Sequence, residues 1–158
     1  MPRLALDAID LKILRILRDD GRITNVALAE RVGISPPPCL RRVRALEEAG
    51  YIHGYHAELD PDLIGYEVTA FCHVGLVSQA EADLKSYEAL VRSWPNVREC
   101  HMLMGEDDFI LKVMAPSVEE LNAFIISHLT SAPNVKNVKT AICIRRSDRK
   151  PSVPVPTA

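Results

Sequence analysis

Aromatic side chains are scarce: one tryptophan, four tyrosines and three phenylalanines make 5% of 158 residues. So thin a supply argues against a single-strand nucleic-acid binder that stacks successive bases on rings. No apolar run approaches the roughly 18 to 20 residues a membrane-spanning helix needs. The opening stretch MPRLALDAIDLK places acids where a secretory leader would be apolar. A cytoplasmic protein with no membrane partner is therefore expected. The four cysteines (Cys39, Cys72, Cys100, Cys143) form no C-x-x-C pair, which suggests neither a disulfide framework nor a zinc ribbon. Cys72-His73 and Cys100-His101 fall in strand-like segments, where neighbouring side chains face opposite sides and cannot easily share an ion. Nucleophile–base pairs, phosphate loops and metal-ligand spacings are missing too. The chain is expected to be no enzyme and to carry no cofactor or metal.

What is present suits a folded, soluble protein. Apolar residues at 47% supply a core, and charged residues at 25% are ordinary. The net charge is −2, unevenly spread: residues 1–50 carry nine Lys/Arg against seven Asp/Glu, and the remainder ten against fourteen. A slightly basic first third permits a nucleic-acid contact there.

That first third reads as three helices. Asp7 with Asp10 forms an acidic variant of a capping box, ahead of Ile9, Ile13, Leu14, Ile16 and Leu17 at helical spacing. Thr24 caps a short second helix that Gly33 stops. The third, within ISPPPCLRRVRALEEAG (34–50), starts with Ser35 as N-cap and three prolines. Prolines are tolerated in a first turn, where N–H groups have no intrahelical acceptor. Each X-Pro step disfavours helical geometry before it, so the start could slip toward Pro38. At about 100° per residue, Leu40, Val43 and Leu46 make a core-facing stripe. Pro38, Arg41, Arg42 and Ala45 lie opposite, with Arg44 at a flank. A helix, tight turn and arginine-bearing second helix match the helix-turn-helix geometry that enters a major groove.

Beyond residue 51 the pattern changes. Residues 51–66 read as a strand plus linker, and 67–78 as a strand rich in β-branched residues. An amphipathic helix (80–94) follows, then two strands (97–104 and 108–114) around GEDD, a helix capped by Ser117, and a strand from 138 to 144. The order βαββαβ is ferredoxin-like, so the fold class is α+β. Residues 1–51 are assigned to the helix-turn-helix, 52–65 to a strand and linker, 66–146 to the βαββαβ unit. Residues 147–158, polar and proline-rich, are expected to be poorly ordered.

Three stretches, LDAIDLKILRILRDDGRIT, LAERVGISPPPCLRRVRALEEAGYIHGY and GEDDFILKV, resemble the motifs of the Lrp/AsnC family of bacterial and archaeal transcription regulators, in order and spacing. The resemblance covers roughly residues 6 to 145. It implies a winged helix-turn-helix joined to an amino-acid-sensing βαββαβ domain, sheet-to-sheet homodimers, and rings of four dimers, an octamer. By position, Ser35, Pro36, Arg41, Arg42 and Arg44 would belong to the recognition helix, with Pro37 and Pro38 at its entry. Met104, Gly105, Glu106, Asp107 and Asp108 would line an effector cleft, with Thr140 nearby. Two departures stand out: Pro37 replaces the usual Ser or Thr, and Val138 replaces a polar residue often found in the last strand.

The residues support these roles physically. Arg41 and Arg42 suit guanine O6/N7 or phosphate equally well. Thr24 and Asn25 begin a helix whose N–H groups could meet a phosphate, or they simply cap it. MGEDDFIL could be no more than a hairpin turn, with Gly105 allowing a positive φ. Asp108 is the expected effector-binding acid, with Phe109 packing inward and Glu106 and Asp107 solvated. The leading reading is a sequence-specific regulator of double-stranded DNA modulated by an amino acid or related metabolite. Two alternatives share the architecture: an amino-acid-binding module without DNA recognition, and a tetrapyrrole (sirohaem-type) decarboxylase using His73 and His101.

Overall fold

The computed structural model describes residues 5–147 and 152–156. It divides into two compact units, one holding the described residues up to Glu58 with residues 152–156, the other Leu59–Ser147.

In the first unit α1 (Ala8–Asp19), α2 (Asn25–Val32) and α3 (Pro36–Glu48) enclose Ile13, Leu28, Ala29, Val32, Cys39 and Leu46. The capping box forms as the sequence suggests: Asp10 N–H donates to Asp7 Oδ1 at 2.8 Å, and Asp7 N–H donates to Asp10 Oδ2 at 3.2 Å. Gly33 closes α2 at φ 89°, a left-handed value that glycine adopts without strain. Expected to be a core residue, Leu40 is instead 40% exposed, and Cys39 takes the inward place. The stripe facing the core is Cys39, Val43 and Leu46, with Cys39 in the place expected for Leu40. Burial pushes the Cys39 thiol up, as befits a small apolar filler.

Residues 51–60 form no strand, contrary to expectation. A strand requires a neighbour for its ladder, and no described residue of this chain supplies one here. The tail expected to be poorly ordered is described only at 152–156. There Val153 to Pro156 line an open cavity of about 710 Å³ with Leu6, Leu14 and Leu17. Residues 148–151, 157 and 158 lie outside the described set.

The second unit is a four-stranded antiparallel sheet in the order β2-β3-β1-β4, built from β1 (Val68–Leu76), β2 (Val97–Met102), β3 (Phe109–Ala115) and β4 (Val135–Ile142). β3 alternates strictly, with Phe109, Leu111, Val113 and Ala115 buried. Strict alternation is the signature of a sheet covered on one face. The covering helices are α4 (Glu81–Arg92) and α5 (Val118–Phe124), which bring Tyr87, Val91, Leu121 and Phe124 against it. Trp94 packs edge-on to both Tyr87 and Phe124. Each such pair contributes about 0.5–1.5 kcal/mol beyond area burial. The last turn, Ile125–Leu129, is π-helical, with Thr130 N–H reaching Ile125 O at 2.9 Å. The widened turn carries Leu129 back into the core. On the opposite sheet face Phe71, His73, Ile110 and Lys112 stand side by side in register, outside that core.

Candidate nucleic-acid interface and effector cleft

All three prolines are helical. α3 begins at Pro36, and the first hydrogen bond is Cys39 N–H to Ser35 O at 3.3 Å. An N-cap serine normally accepts from the second or third helical N–H. Those positions are Pro37 and Pro38, which have none, so the exposed Ser35 hydroxyl makes no cap bond. Proline at the helix entry thus frees the Ser35 hydroxyl for an outside partner, while the first three positions of α3 offer no N–H to an anion.

The arginines separate. Arg42 does not point outward, as the helical wheel suggested. Its Nη1 donates to Asp10 Oδ1 at 2.7 Å and to Asp7 Oδ2 at 2.8 Å, fastening α3 to the start of α1. The Asp10 side chain is only 9% exposed. The Asp10 N–H does most to hold the Asp7 carboxyl below its usual range, and Arg42 adds to it. The wheel misplaced Arg42 because its true core axis runs through Cys39, which turns position 42 toward α1. Arg41 and Arg44 are exposed and make no ion pair or side-chain hydrogen bond among the described residues. With Pro37 and Leu40 they form an exposed stripe at positions i, i+3, i+4 and i+7.

Thr24 and Asn25 serve the fold. Thr24 Oγ1 accepts from Ala27 N–H at 3.3 Å, and Asn25 Nδ2 donates to Pro36 O at 2.9 Å, joining α2 to α3. Asn25 Oδ1 is buried without a partner.

In the second unit residues 103–108 link β2 to β3. Asp108 is consumed within the protein: Oδ2 accepts from Leu76 N–H at 2.6 Å and Oδ1 from Gln79 Nε2 at 2.8 Å. Asp107, expected to be solvated, has a side chain only 13% exposed and faces His73 Nδ1 at 3.2 Å and Lys139 Nζ at 3.3 Å. Glu106 is solvated, its carboxylate 3.1 Å from Lys139 Nζ. Gly105 does not use a positive φ, and a Cβ there would meet nothing within 4 Å. Thr140 is not brought to this turn: it stands opposite Cys72, its hydroxyl 3.6 Å from that sulfur. Lys139, one residue earlier, is the β4 side chain that arrives. Neither Lys139, His73 nor Gln79 was singled out for this site from sequence. Their meeting depends on the β1–β4 register, which pairs His73 with Lys139.

Beside the turn, Gln79, Leu84, Met102, Leu103, Met104 and Asp108 line an open cleft of about 390 Å³. Its walls are mainly aliphatic and thioether, with a carboxylate and an amide at one side. On β2, His101 Nε2 lies 3.4 Å from Glu99 Oε2. Glu99 also accepts from Lys112, which holds its carboxyl below the usual range.

Comparison with known proteins is consistent along the chain. The winged helix-turn-helix DNA-binding family matches residues 6–53, and the Lrp/AsnC ligand binding domain family matches residues 69–153. A leucine-responsive regulatory protein of Rhizobium meliloti (strain 1021) is 56% identical over 91% of this chain and 92% of its own length. The HTH-type transcriptional regulator AldR of Mycolicibacterium smegmatis is 42% identical, covering 87% of this chain and 80% of its own. Among solved structures, a transcriptional regulator of Neisseria meningitidis in complex with L-methionine superposes with a TM-score of 0.90 at 35% identity, covering 95% and 97% of the two chains.

Proposed function

The chain belongs to the Lrp/AsnC family of DNA-binding transcriptional regulators, which are not enzymes, and on that premise we propose how its parts are used. α3 reads duplex DNA through Arg41 and Arg44, with the Ser35 hydroxyl on a phosphate. The observation that carries this is the division among arginines: Arg42 is committed to Asp7 and Asp10, while Arg41 and Arg44 have no ion pair among the described residues and stay on the exposed stripe. Unpaired guanidinium groups at the N-terminal half of a second helix suit both guanine edges and phosphates.

The effector is an amino acid with an apolar side chain. Leu84, Met102, Leu103 and Met104 offer an aliphatic and thioether wall, and the turn backbone between Leu103 and Asp108, whose own N–H groups are taken, offers groups for the charged ends. A relative named for leucine response and a neighbour holding L-methionine support that class. Asp108 positions the turn against Leu76 and Gln79; it is not the group that meets the ammonium. Two subunits pair through the sheet face bearing Phe71, Ile110 and Lys112, and dimers assemble further, to an octamer. The protein works in the cytoplasm; no described helix is long and apolar enough to cross a membrane.

The test is twofold. Gel shift with the duplex upstream of its own coding sequence should show binding that weakens steeply with salt. Thermal-shift screening across the twenty amino acids should rank leucine and methionine first. Absence of any shift with DNA at every amino-acid concentration would leave only the module without DNA recognition. The decarboxylase alternative falls with family membership, and its candidate histidines are tied to Asp107 and Glu99.

A further inference from the structure

Leu40 is the large apolar side chain on the exposed stripe of α3, bordered by Pro37, Arg41 and Arg44. A single exposed leucine is ordinary on any surface. Its place is what matters: the core position beside it is filled by Cys39, and Leu40 lies outside the buried cluster of the first unit. Its neighbours on the stripe are a proline, which offers no hydrogen-bonding side chain, and two arginines without ion-pair partners among the described residues. The stripe is therefore apolar over positions 37 and 40 and cationic over 41 and 44.

We propose that Leu40, backed by the Pro37 ring, reads the 5-methyl group of a thymine in the major groove, next to bases or phosphates held by Arg41 and Arg44. This rests on α3 being the reading helix, as argued above. Of the four bases only thymine presents a methyl group on the major-groove edge, and apolar side chains discriminate it by contact. A leucine cannot contact a phosphate favourably, since burial against a charged oxygen desolvates the oxygen without a hydrogen bond. Its contribution is thus specific to sequence and independent of salt, unlike that of the arginines.

The experiment begins with full-length wild-type protein and a randomised pool of DNA duplexes. Enrichment of related sequences tests the reading helix itself; failure to enrich any sequence would overturn both proposals. Each thymine of an enriched duplex is then replaced by deoxyuridine, which removes the methyl and keeps base pairing. At one thymine in each half-site the wild type should lose affinity about three- to tenfold, the scale expected for one buried methyl. Leu40→Ala should bind the thymine duplex with a similar loss, show no further loss on deoxyuridine, and keep the wild-type slope of log K against log salt. Leu40→Met should retain the deoxyuridine effect. Enrichment without any sensitive thymine would overturn the inference while leaving the reading helix intact. So would a Leu40→Ala protein that remained as sensitive to deoxyuridine as wild type. Helical circular dichroism verifies that the variants fold, and the wild-type deoxyuridine scan decides the matter even where one does not.

Discussion

Arg42 Nη1 stands 2.7 Å from Asp10 Oδ1, and this contact gives two arginines adjacent in sequence different work. Arg42 ties the head of α1 to α3, whereas Arg41, one residue earlier, is free to meet a partner. The pairing also explains how a nearly buried Asp10 is tolerated. Its carboxylate accepts from Arg42 and from the Asp7 N–H, so it does not stand alone in the first unit's core.

Removing Arg42 should therefore be a stability lesion. Breaking a fully buried pair costs about 3–5 kcal/mol. Arg42 keeps about a third of its side chain in water, so Arg42→Ala is expected to cost less, about 2 kcal/mol. Urea unfolding followed by circular dichroism measures it. An unchanged midpoint would show that the Arg42 contact is immaterial to the fold.

Arg41→Ala and Arg44→Ala should behave in the opposite way. Their unfolding midpoints should stay near wild type, while duplex affinity falls. If either touches a phosphate, the slope of log K against log salt drops by about one. Loss of a bidentate guanine contact instead costs about 1–3 kcal/mol on the cognate duplex alone. Normal affinity in the double variant would remove α3 from the interface.

Acid should loosen the first unit through Asp7. The native pKa of Asp7 lies below its ordinary 3.8, mainly because the Asp10 N–H donates to it. A depressed carboxylate contributes stability above the unfolded pKa and loses it as pH falls through the native one. Melting temperature should therefore fall below about pH 4, and Asp7→Asn should flatten that limb. A variant with the wild-type acid profile would assign the effect to another carboxylate.

Gly105→Ala separates fold from effector. A Cβ there has open space and no left-handed backbone to strain, so stability should change by less than about 0.5 kcal/mol. The thermal shift produced by leucine or methionine should shrink if the backbone of this turn holds the charged ends of the ligand. An undiminished shift would place the effector elsewhere.

Asp108→Ala tests a structural role. Leu76 N–H would lose its acceptor in a nearly buried strand end, at about 1–3 kcal/mol. Faster hydrogen exchange at the Leu76 amide should accompany the loss. An unaffected Leu76 amide would mean that another group satisfies it.

Much of the architecture was legible because it is written in local periodicity and caps. Asp7 with Asp10, Thr24, Ser117 and Gly33 mark helix ends where the structure has them. The βαββαβ order follows from alternation and turn residues. Residues 51–60 misled because strand-like composition is local, whereas a strand exists only where a neighbour completes its hydrogen bonds. Leu40 and Cys39 were exchanged because both are apolar and one helical step apart, and the wheel alone cannot say which of them meets α1 and α2.

By itself the sequence determined the two-part order, a proline-entered third helix and the arginine-bearing segment within it. These depend on interactions between residues a few positions apart, which chain geometry fixes in advance. The tertiary structure alone decided that Arg42 belongs to Asp7 and Asp10, that Asp107 meets His73 and Lys139, and that Asp108 is spent on Leu76 and Gln79. Each of those pairings joins residues some thirty positions apart on different elements. Charge does not specify its partner; the packing of the core does, by turning some polar groups toward one another and leaving others to the solvent.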